Sequence, residues 1–242
     1  MIRLRKVTNF IKLLQAFSKV SFLSLREDSI HFHSFRYLQK KHVIREDFLM
    51  QLCKGRRVIH FGFLDVPFTV EKITARALLH FRIREVASFL YGIDIDPVSL
   101  EKYRQLTGDT QNAILDVQED LTPKDLLLVS DRYDVILFPE VLEHTLNPAK
   151  ALVNLRKVCS VNASAKLCVT VPNAFSVAGF FAAVMGSEIV HPGHYYYFSP
   201  ATITKLLNDV GFSRVELLLY SNRRLVGSPG LTGHGIIAIC ES

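Results

Sequence analysis

The 242-residue chain has only four cysteines, Cys53, Cys159, Cys168 and Cys240, and no two of them form a C-x-x-C pair. That scarcity argues against a disulfide framework or a structural zinc site and fits a reducing compartment. No apolar run reaches the roughly 18 residues needed to cross a bilayer; the nearest, 175–184, is too short. Lys12 and Lys19 interrupt any secretory signal, and no small-residue cleavage site follows, so a cytoplasmic location is expected. No G-x-G-x-x-G turn follows the first strand, and no lysine follows Tyr195, Tyr196 or Tyr197 at the offset of a Tyr-x-x-x-Lys pair. Both absences speak against a nicotinamide-dependent oxidoreductase.

What is present is the balance of a globular chain, 49% hydrophobic and 21% charged, long enough for one α/β domain with a short extension. Residues 1–50 carry ten Lys or Arg against four acids, a net +6 that equals the formal charge of the whole chain. The remainder is therefore neutral, and residues 1–50 read as a basic helical extension ahead of a domain at 51–242. Phe10, Leu13, Leu14 and Phe17 fall on one face of a helix there. His31 and His33 read as surface residues. Such an arm suits contact with a membrane surface or a partner.

From residue 57 short apolar runs alternate with helix-like segments, which predicts a doubly wound, mostly parallel sheet with helices on both faces. Strands are expected at 57–62, 88–93, 111–115, 133–138, 166–171, 213–219 and 235–240. Helices are expected at 69–84, 97–106, 122–130, 148–159 and 200–210, the last capped by Ser199 and stopped by Gly211. Residues 173–198 form a long insertion, the usual shape of a lid or binding loop.

In an open parallel sheet ligands bind at the carboxyl ends of the strands. The first strand ends in His60-Phe61-Gly62-Phe63-Leu64-Asp65, where the glycine permits close approach of a ligand. The second ends in Gly92-Ile93-Asp94-Ile95-Asp96. Asp96 suits the N-cap of the helix entered at Pro97, which leaves Asp94 to accept hydroxyls. The third ends in Asp116-Val117. The fourth runs into Pro139-Glu140-Val141-Leu142-Glu143-His144, a dense ionisable cluster at a buried strand's end.

Taken together, VIHFGFLD, YGIDID, ILDV, YDVILFPEVLEH…NP and VTVPNAFS resemble the ordered motifs of class I, Rossmann-like S-adenosylmethionine-dependent methyltransferases. The likeness is to the small-molecule type, including enzymes of surface-glycan (polysaccharide) biosynthesis. It implies a seven-stranded sheet whose last strand is antiparallel, with S-adenosylmethionine as cofactor. It also implies a cofactor site of His60, Phe61, Gly62, Phe63, Asp94, Ile95, Asp116, Val117, Pro139 and Glu140. The first loop departs from the family pattern: His60 stands where an acid is usual, Gly62 is its single glycine, and Asp65 is the nearest substitute acid. That departure opens an alternative, a catalytically inactive relative acting as a binding or regulatory subunit.

Methyl transfer to oxygen or nitrogen needs alignment and removal of a proton. His144 and His194 are the candidate bases, with Glu140 shaping the site. His191 and His194 are spaced as a metal pair but show no third ligand, so no metal is expected. Tyr195, Tyr196 and Tyr197 either stack on a substrate or pack beneath the insertion. No Asn/Asp-Pro-Pro-Tyr/Phe signature follows the fourth strand, so the expected acceptor is a small molecule or glycan and not specific nucleic acid.

Overall fold

A computed structural model describes residues 43–130, 132–162, 164–221 and 233–241, all within one compact unit. The amphipathic stretch around Phe10 to Phe17, and His31 and His33, lie outside the described residues. The elements run β1 (Val43–Ile44), α1 (Arg45–Cys53), β2 (Arg57–Phe61), α2 (Thr69–Thr74), α3 (Leu79–Arg84), β3 (Phe89–Asp94) and α4 (Pro97–Thr107). There follow β4 (Asn112–Ile114), α5 (Pro123–Leu128), β5 (Val135–Pro139), a 3-10 turn Leu142–His144, α6 (Pro148–Val161) and β6 (Lys166–Pro172). The chain ends with α7 (Val177–Val184), α8 (Pro200–Asp209), β7 (Ser213–Ser221) and β8 (Gly235–Glu241).

The eight strands form one sheet in the order β1-β7-β8-β6-β5-β2-β3-β4, parallel except that β8 runs against β6 and β7. The alternation of strand side chains builds a core on each face. Ile59, Phe61, Ile136, Phe138 and Val169 meet Leu152 and Leu155 of α6 and Ile203 and Leu207 of α8. Val58, Val135, Leu137 and Cys168 point the other way, onto Leu49 and Cys53 of α1 and Ile83 of α3.

Two features differ from the sequence expectation. An eighth strand, β1, pairs parallel with the end of β7, Val43 opposite Tyr220 and Ile44 opposite Ser221. Helix α1 therefore runs across the boundary expected between residues 50 and 51, because Leu49 and Cys53 are wholly buried in the core. Next, the helix expected over 69–84 is two helices. Arg76 takes a left-handed φ of 51°, and the break lets Leu78 drop into a cluster with Phe63, Leu100 and Tyr103.

The caps fall where sequence chemistry puts them. Asp96 accepts from the backbone N–H groups of Val98 and Ser99, with Pro97 opening α4. Ser199 accepts from Thr202 N–H, and Gly211 follows α8 at φ 94°. Among the described residues no helix is long and apolar enough to cross a membrane.

Candidate active site

Strand order reverses between β2 and β5: β3 and β4 lie to one side, β6 and its neighbours to the other. A crevice opens at that point, outside the strands' carboxyl ends. Two adjoining cavities fill it. The smaller is lined by Phe61, Ile93, Leu115, Asp116, Val117 and Phe138 among others. The larger is bordered by Arg45, His60, Phe63, Asp65, Pro139 and Glu140 among others. Gly62, Asp94, Ile95, Val141 and His144 border both, so every residue expected at a cofactor site lies on this trough.

Gly62 has φ 66°, and a Cβ there would stand 2.3 Å from Val141 Cγ2. Two carboxyl ends, of β2 and β5, thus meet where no side chain fits. Asp94 is 5% exposed; its Oδ2 accepts from Leu64 N–H at 2.9 Å and its Oδ1 from Ile95 N–H at 2.8 Å and Asp96 N–H at 3.2 Å. Burial raises its pKa against the pull of those donors. The carboxylate therefore moors the first loop to β3 as well as facing the trough, a role sequence reasoning did not give it. Asp116 Oδ1 accepts from Gln118 N–H at 2.8 Å, and buried Asn154 of α6 donates to the carbonyls of Val117 and Glu119. The loop beside the smaller cavity is thereby held from beneath.

At the first loop, the ring of Phe63 turns inward and is 3% exposed, 4.4 Å from the His80 ring and 5.0 Å from the Tyr103 ring. Gly92 makes room for it: a Cβ there would meet the Phe63 ring at 2.7 Å. Its bulk is thus absorbed by the core. His60 is buried too, and that burial lowers its pKa to about 3, helped by the positive charge of Arg45. It occupies the acid's place as a neutral ring. Asp65, the nearest acid, pairs with Lys72 on the border of the larger cavity.

Glu140 follows β5 with a left-handed φ of 54°, a conformation that persists where surrounding contacts enforce it. Its Oε1 accepts from Thr170 Oγ1 at 2.7 Å and from the Tyr220 hydroxyl at 2.8 Å, and Arg45 lies 3.5 Å away. Burial and this carboxylate push the Tyr220 hydroxyl pKa up. Arg45, Thr170 and Tyr220 were invisible as site residues because they come from three distant elements.

His144 and His194 are brought together, their rings 4.5 Å apart, with His191 4.7 Å from His194. His144 Nδ1–H donates to the Gly193 carbonyl at 2.8 Å, leaving its Nε2 as the basic nitrogen. The pKa of His194 is lowered by burial and by His144 and His191. Glu143, beneath them, is fully buried, and burial with Glu140 nearby raises its pKa to about 8. His144, 47 residues before His191, joins His191 and His194, the ring nitrogens of the three lying within 4.8 Å of one another. The tyrosines do not pack beneath the insertion: all three are exposed, Tyr196 donating to Leu146 O at 3.0 Å and Tyr197 to Ile189 O at 3.2 Å.

The profile of a methyltransferase-domain family matches residues 74–217. No curated protein shows a significant match. Among solved structures, a SAM-dependent methyltransferase from Archaeoglobus fulgidus is 13% identical with a TM-score of 0.51, covering 82% of this chain and 91% of that one. A SAM-dependent methyltransferase from Thermotoga maritima, described as a possible histamine N-methyltransferase, is 16% identical at 0.53, covering 81% and 87%. The small RNA methyltransferase HEN1 is 14% identical at 0.55, covering 86% of this chain and 27% of its own. These three likenesses concern the fold.

Proposed function

The chain belongs to the methyltransferase-domain family, and from that membership we propose that it transfers a methyl group from S-adenosylmethionine to oxygen or nitrogen of a small-molecule or glycan acceptor. The observation that carries the reading is the continuity of the trough. It runs from Asp116 and Val117, past Asp94 and Gly62, to Glu140 and His144. That order offers an apolar slot, then a carboxylate, then a polar cavity, as a base, a ribose and an amino-acid tail would need, with His144 bordering both cavities. The residues fit the cofactor. The smaller cavity is mostly apolar, as an adenine slot requires, and a carboxylate stands between the two cavities where a ribose would lie.

S-adenosylmethionine, when bound, supplies an electrophilic methyl group on a sulfonium. The chain's own task is to bind, align and deprotonate. Ile95, Val117 and Asp116 hold the base, Asp94 takes the ribose hydroxyls, and Phe61, Gly62, Phe63 and His60 border the methionine end. Pro139 and Glu140 form the floor of the reacting zone. His144 through Nε2, or His194 beside it, accepts the proton that an attacking hydroxyl or amine releases. A small-molecule or glycan acceptor and work in polysaccharide assembly follow from the motif likeness, and a cytoplasmic setting from the interruption of the N-terminal apolar stretch by Lys12 and Lys19. The net positive charge of residues 1–50 suits contact with a membrane surface or a partner.

Calorimetric titration with S-adenosylmethionine and its demethylated product tests the reading, with an Asp94→Ala chain as control. Micromolar affinity that falls in the control supports it. No affinity for either ligand would overturn it and turn attention to the inactive-relative reading.

A further inference from the structure

We propose that His144, His191 and His194, with buried Glu143 beside them as a fourth ligand, form a binding site for a divalent transition-metal cation of the zinc type at the acceptor end of the trough. One observation is convergence. Each of the three histidines offers a ring nitrogen, and these atoms lie within 4.8 Å of one another. Three atoms so placed share a centre no more than about 2.8 Å from each, and metal–nitrogen bonds are about 2.1 Å. Contraction by less than about 1 Å closes the site, well within the reach of side chains on a loop.

A second observation is independent of the rings. Glu143 is wholly buried, and neither carboxylate oxygen has a hydrogen-bond partner among the described residues. Its Oε1 stands 4.0 Å from His194 Nε2, too far for a hydrogen bond and near enough to share an ion. His194 Nδ1 is likewise buried without a partner among those residues. An unsatisfied buried carboxylate is costly, and a cation with imidazole neighbours is the simplest group that would satisfy it.

The hydrogen bonds around the cluster are those of a ligand set. His144 donates Nδ1–H to the Gly193 carbonyl, which fixes the ring and presents the Nε2 lone pair, the usual support of a metal-bound histidine. Gly193 N–H donates to His191 Nδ1 at 3.1 Å, so the neutral His191 ring carries its proton on Nε2. Ligation by His191 therefore needs a change of tautomer or loss of that contact, which makes it the weakest of the four. Gly193 itself allows the approach: a Cβ there would stand 3.1 Å from His144 Nδ1. Imidazole nitrogens with a single carboxylate suit zinc and its neighbours in the first transition row, and not magnesium or calcium, which take oxygen donors.

His144 borders both cavities, so a cation here would sit where the acceptor enters. It would hold an oxygen-bearing acceptor and make its hydroxyl easier to deprotonate. That last role rests on the methyl-transfer reading; the site itself does not.

The test uses the full chain dialysed against a chelator and titrated with zinc and with cobalt(II), read by calorimetry and by cobalt's visible absorption. The expected result is one equivalent bound at micromolar or tighter affinity, with an absorption band typical of nitrogen ligation. Glu143→Gln, His144→Asn and His194→Asn should each weaken binding at least tenfold, and His191→Asn less. Thermal melts of the variants show whether each is folded, and His144, being exposed, is replaced by Asn without entering the core. Absence of binding, or binding undiminished in folded His144→Asn and His194→Asn chains, would overturn the proposal. Titration with S-adenosylmethionine is run separately: metal binding without cofactor binding would sink only the transfer reading, and the reverse would sink only this one.

Discussion

His60 Nδ1 and His80 Nδ1 face each other at 3.3 Å in the interior, their rings stacked with centroids 5.4 Å apart. Arg84 lies 3.2 Å from the other nitrogen of His80. A guanidinium only donates, so His80 Nε2 accepts, His80 Nδ1 carries the proton, and His60 Nδ1 receives it. Both rings are thereby neutral, and His60 is left with an Nε2–H donor in a position where a carboxylate would only accept.

Acid should therefore remove the stability that this pair contributes. Burial lowers the pKa of His60 to about 3 and that of His80 well below its usual value, with His60 and Arg84 adding to the latter. Below pH 6.5 the unfolded chain takes up protons that the folded chain refuses, so the pair's contribution is full above 6.5 and falls as pH drops toward 3. At about 1.4 kcal/mol per pH unit of separation, His60 alone accounts for a few kcal/mol across that window. Urea midpoints at pH 7.5 and 4.5 check this. Glu143, raised to about 8, pulls the other way and loses its contribution as pH rises from about 4.5 to 8. The pair's share is therefore read as the difference in pH dependence between the native chain and a folded His60→Gln chain. No difference would mean the pair is not buried in neutral form.

Gly62→Ala should close the crevice from within. The added Cβ meets Val141 at 2.3 Å and demands a left-handed backbone, a strain of about 1–3 kcal/mol before Val141 moves. Cofactor affinity should fall at least about tenfold, roughly 1.4 kcal/mol. Adding Val141→Ala to the same chain should recover part of the loss in calorimetry. No recovery would place the damage in the backbone alone.

Asp94→Asn and Asp96→Asn, two residues apart, should behave differently. Asp94 accepts three backbone N–H groups, and an amide would turn donors against donors, costing about 1–3 kcal/mol of stability. Asp96 is a helix cap, a task asparagine performs about as well, so its replacement should cost only a few tenths of a kcal/mol. Paired denaturation curves measure both. Equal losses would contradict the mooring role of Asp94.

The four thiols should be silent in the native protein. All are buried, and burial pushes Cys53, Cys159 and Cys240 up to about 12 and Cys168 well above the usual value. A thiol-disulfide reagent at pH 8 should label none natively and four after unfolding. Rapid native labelling would reveal an opening of the core around the reacting cysteine.

The strands and the polar steps at their carboxyl ends were legible because apolar runs and polar residues alternate in register along the chain. Asp94, Asp116, Glu140 and His144 all follow strands that the alternation of Val, Ile and Leu declares. What stayed hidden depends on distance. Arg45 reads as one more charge in a basic arm until β1 and α1 carry it to Glu140. His144 and His191 meet only because the insertion folds back, Tyr195 N–H donating to Glu143 O at 2.8 Å. The fate of Phe63 turned on Gly92, whose service to a ring 29 residues away leaves no mark in local pattern.

β1 is two residues long, yet it covers the end of β7 that bears Tyr220, the residue that grips Glu140. A chain shortened to begin at residue 51 would leave the end of β7 without its β1 neighbour. Such bare strand borders template pairing with other molecules. The shortened chain should then self-associate, and its loss of catalysis would be mistaken for the loss of a basic tail when its true cause is an unzipped sheet margin.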